Sequence, residues 1–417
     1  MILKKNIFVF LFILYSSLII GLYFGEDSLG AAYSDYEGLL HISEKFKNNF
    51  FYTLLNYDEL GHRQSPFLYI INSIFFNFHE MVRRIIILHL YLLIPIYFYK
   101  CLKIKFKDVP KHYLKLFAAI ILLFPTFRSY SIWPDPHLLG FLFFIISIFY
   151  YLKLKININP LKNAILNTFL LSMAAYSSPN FGIFVIFFFY EFYQKFYLSK
   201  KILLIFFLNI ALSLPFFYYL FYLNINFIFN DIGWNIGENF YTLENISNKI
   251  ILIISIFLFY LIPLLTPNFK KNNFKFKTLN LKFSFIIIAY FIIIYFFDFS
   301  FSYKLTNSGG GFFYNISNIL FQTNYLLFFL CFFTYLYLFD IFYLKLSNLI
   351  LFSCLILSNP QVTIWQANFS PTIFILIILL FDGIIDKKDL NPKTLIVCYS
   401  YFFIYLLSNI IIRNILI

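Results

Sequence analysis

The sequence predicts an all-α polytopic membrane protein, and three observations carry that prediction. Of 417 residues, 61% are hydrophobic and 12% are charged, where a soluble domain carries about 25% charged residues. The apolar residues fall in runs of the length that crosses a bilayer as helix, about 20 residues. The cations cluster in the short segments between those runs, as cytoplasmic loops require. Together these exclude a disordered chain, a secreted disulfide scaffold and an ordinary cytosolic enzyme. The net charge of +13 therefore belongs to membrane topology, and no nucleic-acid partner is expected. The 63 Phe and 34 Tyr match the codon bias of an AT-rich genome, so they are not read as a ligand signal.

Taken in order, about thirteen spans are expected: 6–24, 84–99, 115–127, 137–152, 163–178, 181–197, 202–223, 250–267, 283–299, 319–342, 347–359, 371–385 and 394–412. Lys4 and Lys5 precede the first, which reads as an uncleaved signal anchor with its start inside. Cys101, Cys331, Cys354 and Cys398 lie in or beside apolar runs without a C-x-x-C, so neither a disulfide frame nor a zinc site is indicated. The run 66–79 is left out. Its fourteen residues reach only about 21 Å as helix, against a core of roughly 30 Å. Ser65, Asn72, Ser73, Asn77 and Glu80 form one broad polar stripe along it, which suits a juxtamembrane helix lying at the interface.

Charge tests that choice. With 66–79 at the outer surface, most of the 32 Lys and Arg face the cytoplasm; making it a span reverses every later loop and breaks the bias. The chain then reads as a single integral membrane domain, 1–417. Its outer face carries one long segment, 25–83, and shorter loops near 128–136, 224–249, 300–318 and 360–370. The inner loops hold no nucleotide-binding fingerprint, so chemistry is expected outside.

The long outer segment gathers Glu26, Asp27, Asp35, Glu37, His41, Glu44, Asp58, Glu59, His62 and Arg63. A helix is predicted over 33–48, with Glu37, His41 and Glu44 on one face and Leu39, Leu40, Ile42 and Phe46 resting on the membrane. The next outer loop holds Asp135 between Pro134 and Pro136, flanked by Arg128 and His137. The two prolines fix the local backbone. An acid held there suits a general base or the orientation of a phosphate-bound metal; a polar turn with Trp133 as interfacial anchor is the plainer alternative.

Residues 1–155 resemble the GT-C superfamily of integral membrane glycosyltransferases. The resemblance lies in a first span followed by an acidic outer loop (SDYEGLLH), a His-x-x-Ser-Pro stretch (GHRQSPFLYII), an Arg opening the second span (MVRRIIILHL) and an acid after the third (SIWPDPHLLGFLFF). Tyr36 separates Asp35 from Glu37 where the family often has adjacent acids. Residues 156–417 agree only in number of spans and hydrophobicity.

The resemblance implies an enzyme that moves a hexosyl or pentosyl group from a polyprenyl-phosphate donor to an acceptor hydroxyl. It further implies a bacterial inner membrane, with the site on the outer face, in the service of the cell envelope. Asp35 or Glu37 is then the base and Asp135 the second acid. His41, His62, Arg63, Arg83 and Arg128 become candidates for substrate binding, chiefly of the donor phosphate. Asp35 and Asp135 are also the candidate ligands of a divalent metal ion, which the residues leave open. Membrane lipids are partners, and the acceptor, a glycan, a lipid or a protein, is not specified. Two alternatives compete. A polysaccharide-precursor flippase predicts charges or broken helices at mid-membrane. An O-antigen polymerase or ligase type predicts arginines in late outer loops, where the sequence has only Lys304 before Arg413. The topology predicts that a cysteine replacing Lys107 resists a membrane-impermeant thiol reagent in intact cells, while one replacing Ser308 reacts.

Overall fold

The computed structural model describes residues 2–61, 64–225, 246–265, 281–298, 309–342, 345–359 and 364–415. These are helical almost throughout; among the described residues the one extended pairing is a bridge between Gly309 and Trp365. In chain order the helices are α1 (Ile2–Phe24), α2 (Ala32–Asn48), α3 (Phe50–Leu55), α4 (Phe67–Ile74), α5 (Glu80–Tyr91), α6 (Leu93–Lys105), α7 (Lys111–Ala119), α8 (Pro125–Ile132), α9 (Pro136–Lys155), α10 (Pro160–Ser177), α11 (Val185–Phe196), α12 (Lys200–Phe217), α13 (Ile246–Leu265), α14 (Leu281–Tyr295), α15 (Phe312–Phe321), α16 (Tyr325–Phe342), α17 (Leu346–Ser358), α18 (Thr372–Leu379) and α19 (Pro392–Ile415). They form two compact units, Met1–Lys107 with Pro125–Ile236, and Asp108–Phe124 with Gly237–Ile417.

Among the described residues six helical stretches are long and apolar enough to cross a membrane: Ile7–Phe24, Glu80–Lys105, Pro136–Lys155, Lys200–Tyr222, Ile246–Leu265 and Pro392–Ile412. The pair Lys111–Leu123 and Pro125–Ile132 makes a seventh if counted as one broken span. The described residues are thus helical, with several helices of membrane-spanning length; the expected thirteen spans are not confirmed. Hydrophobicity marks burial in protein as readily as burial in lipid. α18 is the plainest case: all eight of its residues are apolar or Thr, and all are buried inside the protein. α10 in turn buries Asn163, Asn167 and Thr168, with Asn167 donating to the Ser147 carbonyl at 2.8 Å.

In the first unit α9 is central, running along α10 and α6. Gly140 permits the approach of the 178–181 segment to α9: a Cβ there would stand 2.9 Å from Ser178 Cβ and 3.0 Å from the Phe181 ring. At the far end of α9, Glu191 accepts from the Tyr151 phenol at 2.7 Å and pairs with Lys155 at 3.3 Å. In the second unit α13 is central, with α15, α16, α18 and α19 about it. Phe124 packs there between Phe402 and Phe374, at ring separations of 4.6 and 5.2 Å.

α2 confirms the helix predicted over 33–48, but its apolar face corrects the expectation of membrane contact. Ala32, Tyr36, Leu39, Ile42, Ser43 and Phe46 form its buried stripe, and α4 packs against it. Leu40 is only half-buried. The Asn72 amide on α4 donates to Ser43 Oγ at 3.0 Å, so the polar side of α4 serves the contact as well. At eight residues, α4 is too short to span.

One buried ion pair fixes the entrance to α2. Arg128 on α8, 4% exposed, donates from Nε to Glu26 Oε1 at 2.7 Å and from Nη2 to Glu26 Oε2 at 2.5 Å. Its remaining donors reach Ser17 on α1, Nη1 to Oγ at 3.1 Å and Nη2 to the carbonyl at 3.0 Å. Gly21 makes room: a Cβ there would collide with the Glu26 carboxylate. The Trp133 indole donates to the Glu26 carbonyl at 3.1 Å, and Leu29 N donates to Ser129 Oγ at 2.8 Å. Residues 26–29 are thereby fastened to the segment that leads into Asp135. Breaking a buried pair on one side leaves an uncompensated charge, a loss of about 3–5 kcal/mol. Arg128→Met is therefore expected to lower the thermal unfolding temperature in detergent sharply, and Glu26→Gln added to it to recover part of the loss.

Candidate functional site

The site is built from the two anchored segments. Asp27 folds the chain into α2: its Oδ1 accepts from Leu29 N at 3.2 Å and Gly30 N at 2.7 Å, and its Oδ2 from Tyr33 N at 3.2 Å. Asp35 follows one turn into α2. From the other side, Pro134 and Pro136 hold Asp135 extended at φ −130° and ψ 141°, the N-cap of α9 with Pro at the first helical position. Its Oδ1 accepts from His137 N at 2.7 Å, and its carbonyl accepts from the Tyr91 phenol at 3.1 Å.

Asp135 lies within electrostatic reach of the Asp35 carboxylate. Asp135 is 4% exposed, and burial, then the Asp35 carboxylate, push it up to about 7; hydrogen bonds from His137 N, the Gln64 side chain and Leu138 N oppose the shift without cancelling it. An N-cap acid is ordinarily favoured as the anion, so the environment here overrides a local preference. Asp35 is open to solvent, yet desolvation by surrounding protein, then Asp27, raise it to about 6. Like charges in one site cannot both ionise freely, and the more deeply buried member carries the larger shift.

Three residues that sequence reasoning passed over complete the site. Gln64 donates to Asp135 while its Oε1 accepts from the Tyr69 phenol at 2.7 Å. Its carbonyl accepts from the Tyr57 phenol at 2.7 Å. Tyr69 is raised well above the ordinary range by burial, then Tyr57, Asp135 and Asp35. Tyr130 on α8 stands within electrostatic reach of Asp135, Asp35 and Asp27. The one signal for Gln64 was its place two residues before Pro66 in the His-x-x-Ser-Pro stretch.

Other expected site residues are distributed differently. Glu37 is exposed and takes a hydrogen bond from the Tyr33 phenol. His41 is exposed on the outer face of α2. Arg128 is engaged by Glu26 and Ser17, so its guanidinium serves the fold. Arg83 is buried in the first turn of α5 against Phe76, 4.5 Å from the ring centre. His62 and Arg63 lie outside the described residues. For a metal, Asp35 and Asp135 offer two carboxylates; among the described residues no group of three His, Cys, Asp or Glu is placed to hold one.

The shift on Asp135 makes stability depend on pH. Between about 4 and 7 the unfolded chain has lost this proton and the folded one keeps it, so the wild type loses stability as pH rises. The slope is roughly 1.4 kcal/mol per pH unit and flattens above about 7. Denaturant titrations of wild type and Asp135→Asn are expected to diverge over that window, with the variant gaining on the wild type as pH rises.

Comparison with protein-family models, with curated proteins and with solved structures returns no match.

Proposed function

We propose that the protein is a membrane glycosyltransferase that moves a sugar from a lipid-phosphate donor to an acceptor hydroxyl at the outer face of the membrane. The observation that supports this reading is that Asp35, open to solvent, lies within electrostatic reach of buried Asp135, and that both are raised above the ordinary carboxylate range. Carboxylates shifted toward neutrality are suited to acid–base work.

Asp35 is the base. It is largely ionised at pH 7, reachable from solvent and joined to a rigid partner. In the transfer step the acceptor oxygen forms a bond to the anomeric carbon and gives its proton to Asp35. The bond from that carbon to the phosphate oxygen breaks, and its electron pair leaves with the lipid phosphate. Asp135, half-protonated near neutral pH, limits the negative charge beside the base; Gln64, itself held by the Tyr69 phenol, donates to it. A divalent ion, if bound, would take Asp35 and Asp135 as ligands and supply charge stabilisation to the leaving phosphate. Glu37 remains a substitute base only if α2 turns, because Tyr36 separates it from Asp35.

A positioned general base contributes about 10²–10⁴-fold. Asp35→Asn and Asp135→Asn are each expected to reduce sugar transfer from a polyprenyl-phosphate donor by at least that lower figure, in protein that inserts and purifies normally. Full transfer by both variants would sink the reading. The wild-type rate is expected to rise with pH through about 6 as Asp35 ionises, and Asp35→Glu to retain part of that dependence.

A further inference from the structure

Leu39, Ile42 and Phe46 of α2, read from sequence as resting on the membrane, are buried in protein. The exposed apolar residues of this region lie on the next helix. α3 presents Phe51 at 75%, Tyr52 at 55% and Leu55 at 50% exposure. Residues 51 and 55 are four apart and share a helical face. The rest of α3 is fastened to its neighbours. Thr53 is buried and its hydroxyl donates to the Lys45 carbonyl at 3.0 Å. The Asn49 side chain accepts from Tyr52 N, and the Asn56 amide donates to the Tyr52 carbonyl at 2.9 Å. The helix is thus held with its apolar face outward.

A long-range bond sets the level of α3 against the membrane. The span Lys200–Tyr222 has 23 residues, about 34 Å as helix against a core of roughly 30 Å, so its last turn stands at the bilayer surface. That turn is a π-helical stretch, Tyr218–Tyr222. From it the Tyr219 phenol donates to the Leu54 carbonyl at 2.7 Å, which carries the α3 face to the place where the span leaves the lipid. The span itself buries only Ile202, Ile205 and Leu220 in protein, so the surface that α3 continues is one covered by lipid. Its end exposes Phe221 and Tyr222, stacked on Phe217 and Tyr218 at ring separations of 5.8 and 4.8 Å. Tyr rings at this level match the aromatic belt of a membrane interface. The exposed charges along the chain on either side of α3 balance: Lys45 and Lys47 against Glu44 and Glu59, with Glu59 accepting from the Tyr52 phenol at 3.2 Å.

We propose that α3 is a membrane foothold, with Phe51, Tyr52 and Leu55 seated in the lipid leaflet beside the end of the span Lys200–Tyr222. The partner is the apolar margin of the bilayer. Balanced local charge gives anionic headgroups no added attraction, so the contact depends on apolar and aromatic surface. The foothold steadies the chain that follows it: Tyr57, two residues after Leu55, donates to the Gln64 carbonyl at 2.7 Å, and the Gln64 side chain donates to Asp135. The proposal stands on α3 and the span alone and does not rest on the transferase reading.

The test is site-directed spin labelling of the full-length protein in phosphatidylcholine bilayers. Labels are placed at Phe51→Cys and Leu55→Cys, with Phe207→Cys on the exposed side of the span as the lipid reference and His41→Cys as the water reference. The native cysteines are buried, and unsubstituted protein supplies the background. Molecular oxygen, which concentrates in lipid, is expected to relax the labels at 51 and 55 more than a water-soluble nickel chelate does, as at 207, with the order reversed at 41. Adding phosphatidylglycerol is expected to leave these values unchanged. Nickel access at 51 and 55 equal to that at 41 overturns the proposal. Shielding from both reagents, which marks a protein cover, overturns it, and so does spin–spin broadening, which marks a second copy. An oxygen excess that appears only with phosphatidylglycerol overturns the apolar mode of contact. None of these outcomes reads sugar transfer, so the transferase and the foothold fail independently.

Discussion

The arrangement of the first unit depends on one buried charge pair. Arg128 reaches Glu26 across 102 residues of sequence and uses its other donors on Ser17. A charged pair away from water is not a cheap source of stability, because desolvation offsets much of the attraction. What it supplies is position. Glu26 stands just before the Asp27 turn that launches α2, and Arg128 stands on the helix that ends at the Pro-Asp-Pro segment. The pair, with the Trp133 and Ser129 bonds, therefore ties the chain entering α2 to the segment leading into Asp135. Gly21 is the concession that lets the carboxylate sit there.

Around that clamp, each acid receives its character from a different source. Asp135 is made reluctant to ionise by burial, even though it caps a helix and accepts several hydrogen bonds. Asp35 remains in contact with solvent and is affected chiefly by the protein mass around it. The asymmetry follows the backbone: Asp135 sits in a rigid Pro-Asp-Pro loop, next to Trp133, which packs on Tyr33 and Tyr36 of α2, while Asp35 stands on an exposed position of that helix. Gln64 joins the two structural layers, tied to Tyr57 and Tyr69 on its own segment and to Asp135 across from it.

Much of this was legible in local sequence. Leu39, Ile42 and Phe46 mark α2 because residues three and four apart share a helical face; the short run at 66–79 marks α4; and prolines on both sides of Asp135 mark a fixed turn. What escaped was non-local. Nothing near Arg128 announces that its partner is Glu26, so it reads from sequence as a ligand-facing cation. Gln64 is unremarkable until Tyr69 and Asp135 are seen on either side of it. Hydropathy alone also does not separate a span from a core helix: α18 is as greasy as any span, but its neighbours are protein.

Asp35 and Tyr36 are neighbours on one turn, about 100° apart around the helix axis, and they look into different surroundings. Neither is adjustable alone. A roll of α2 that draws the phenol inward swings the carboxylate sideways by a comparable arc. Packing on one flank thus sets alignment on the other.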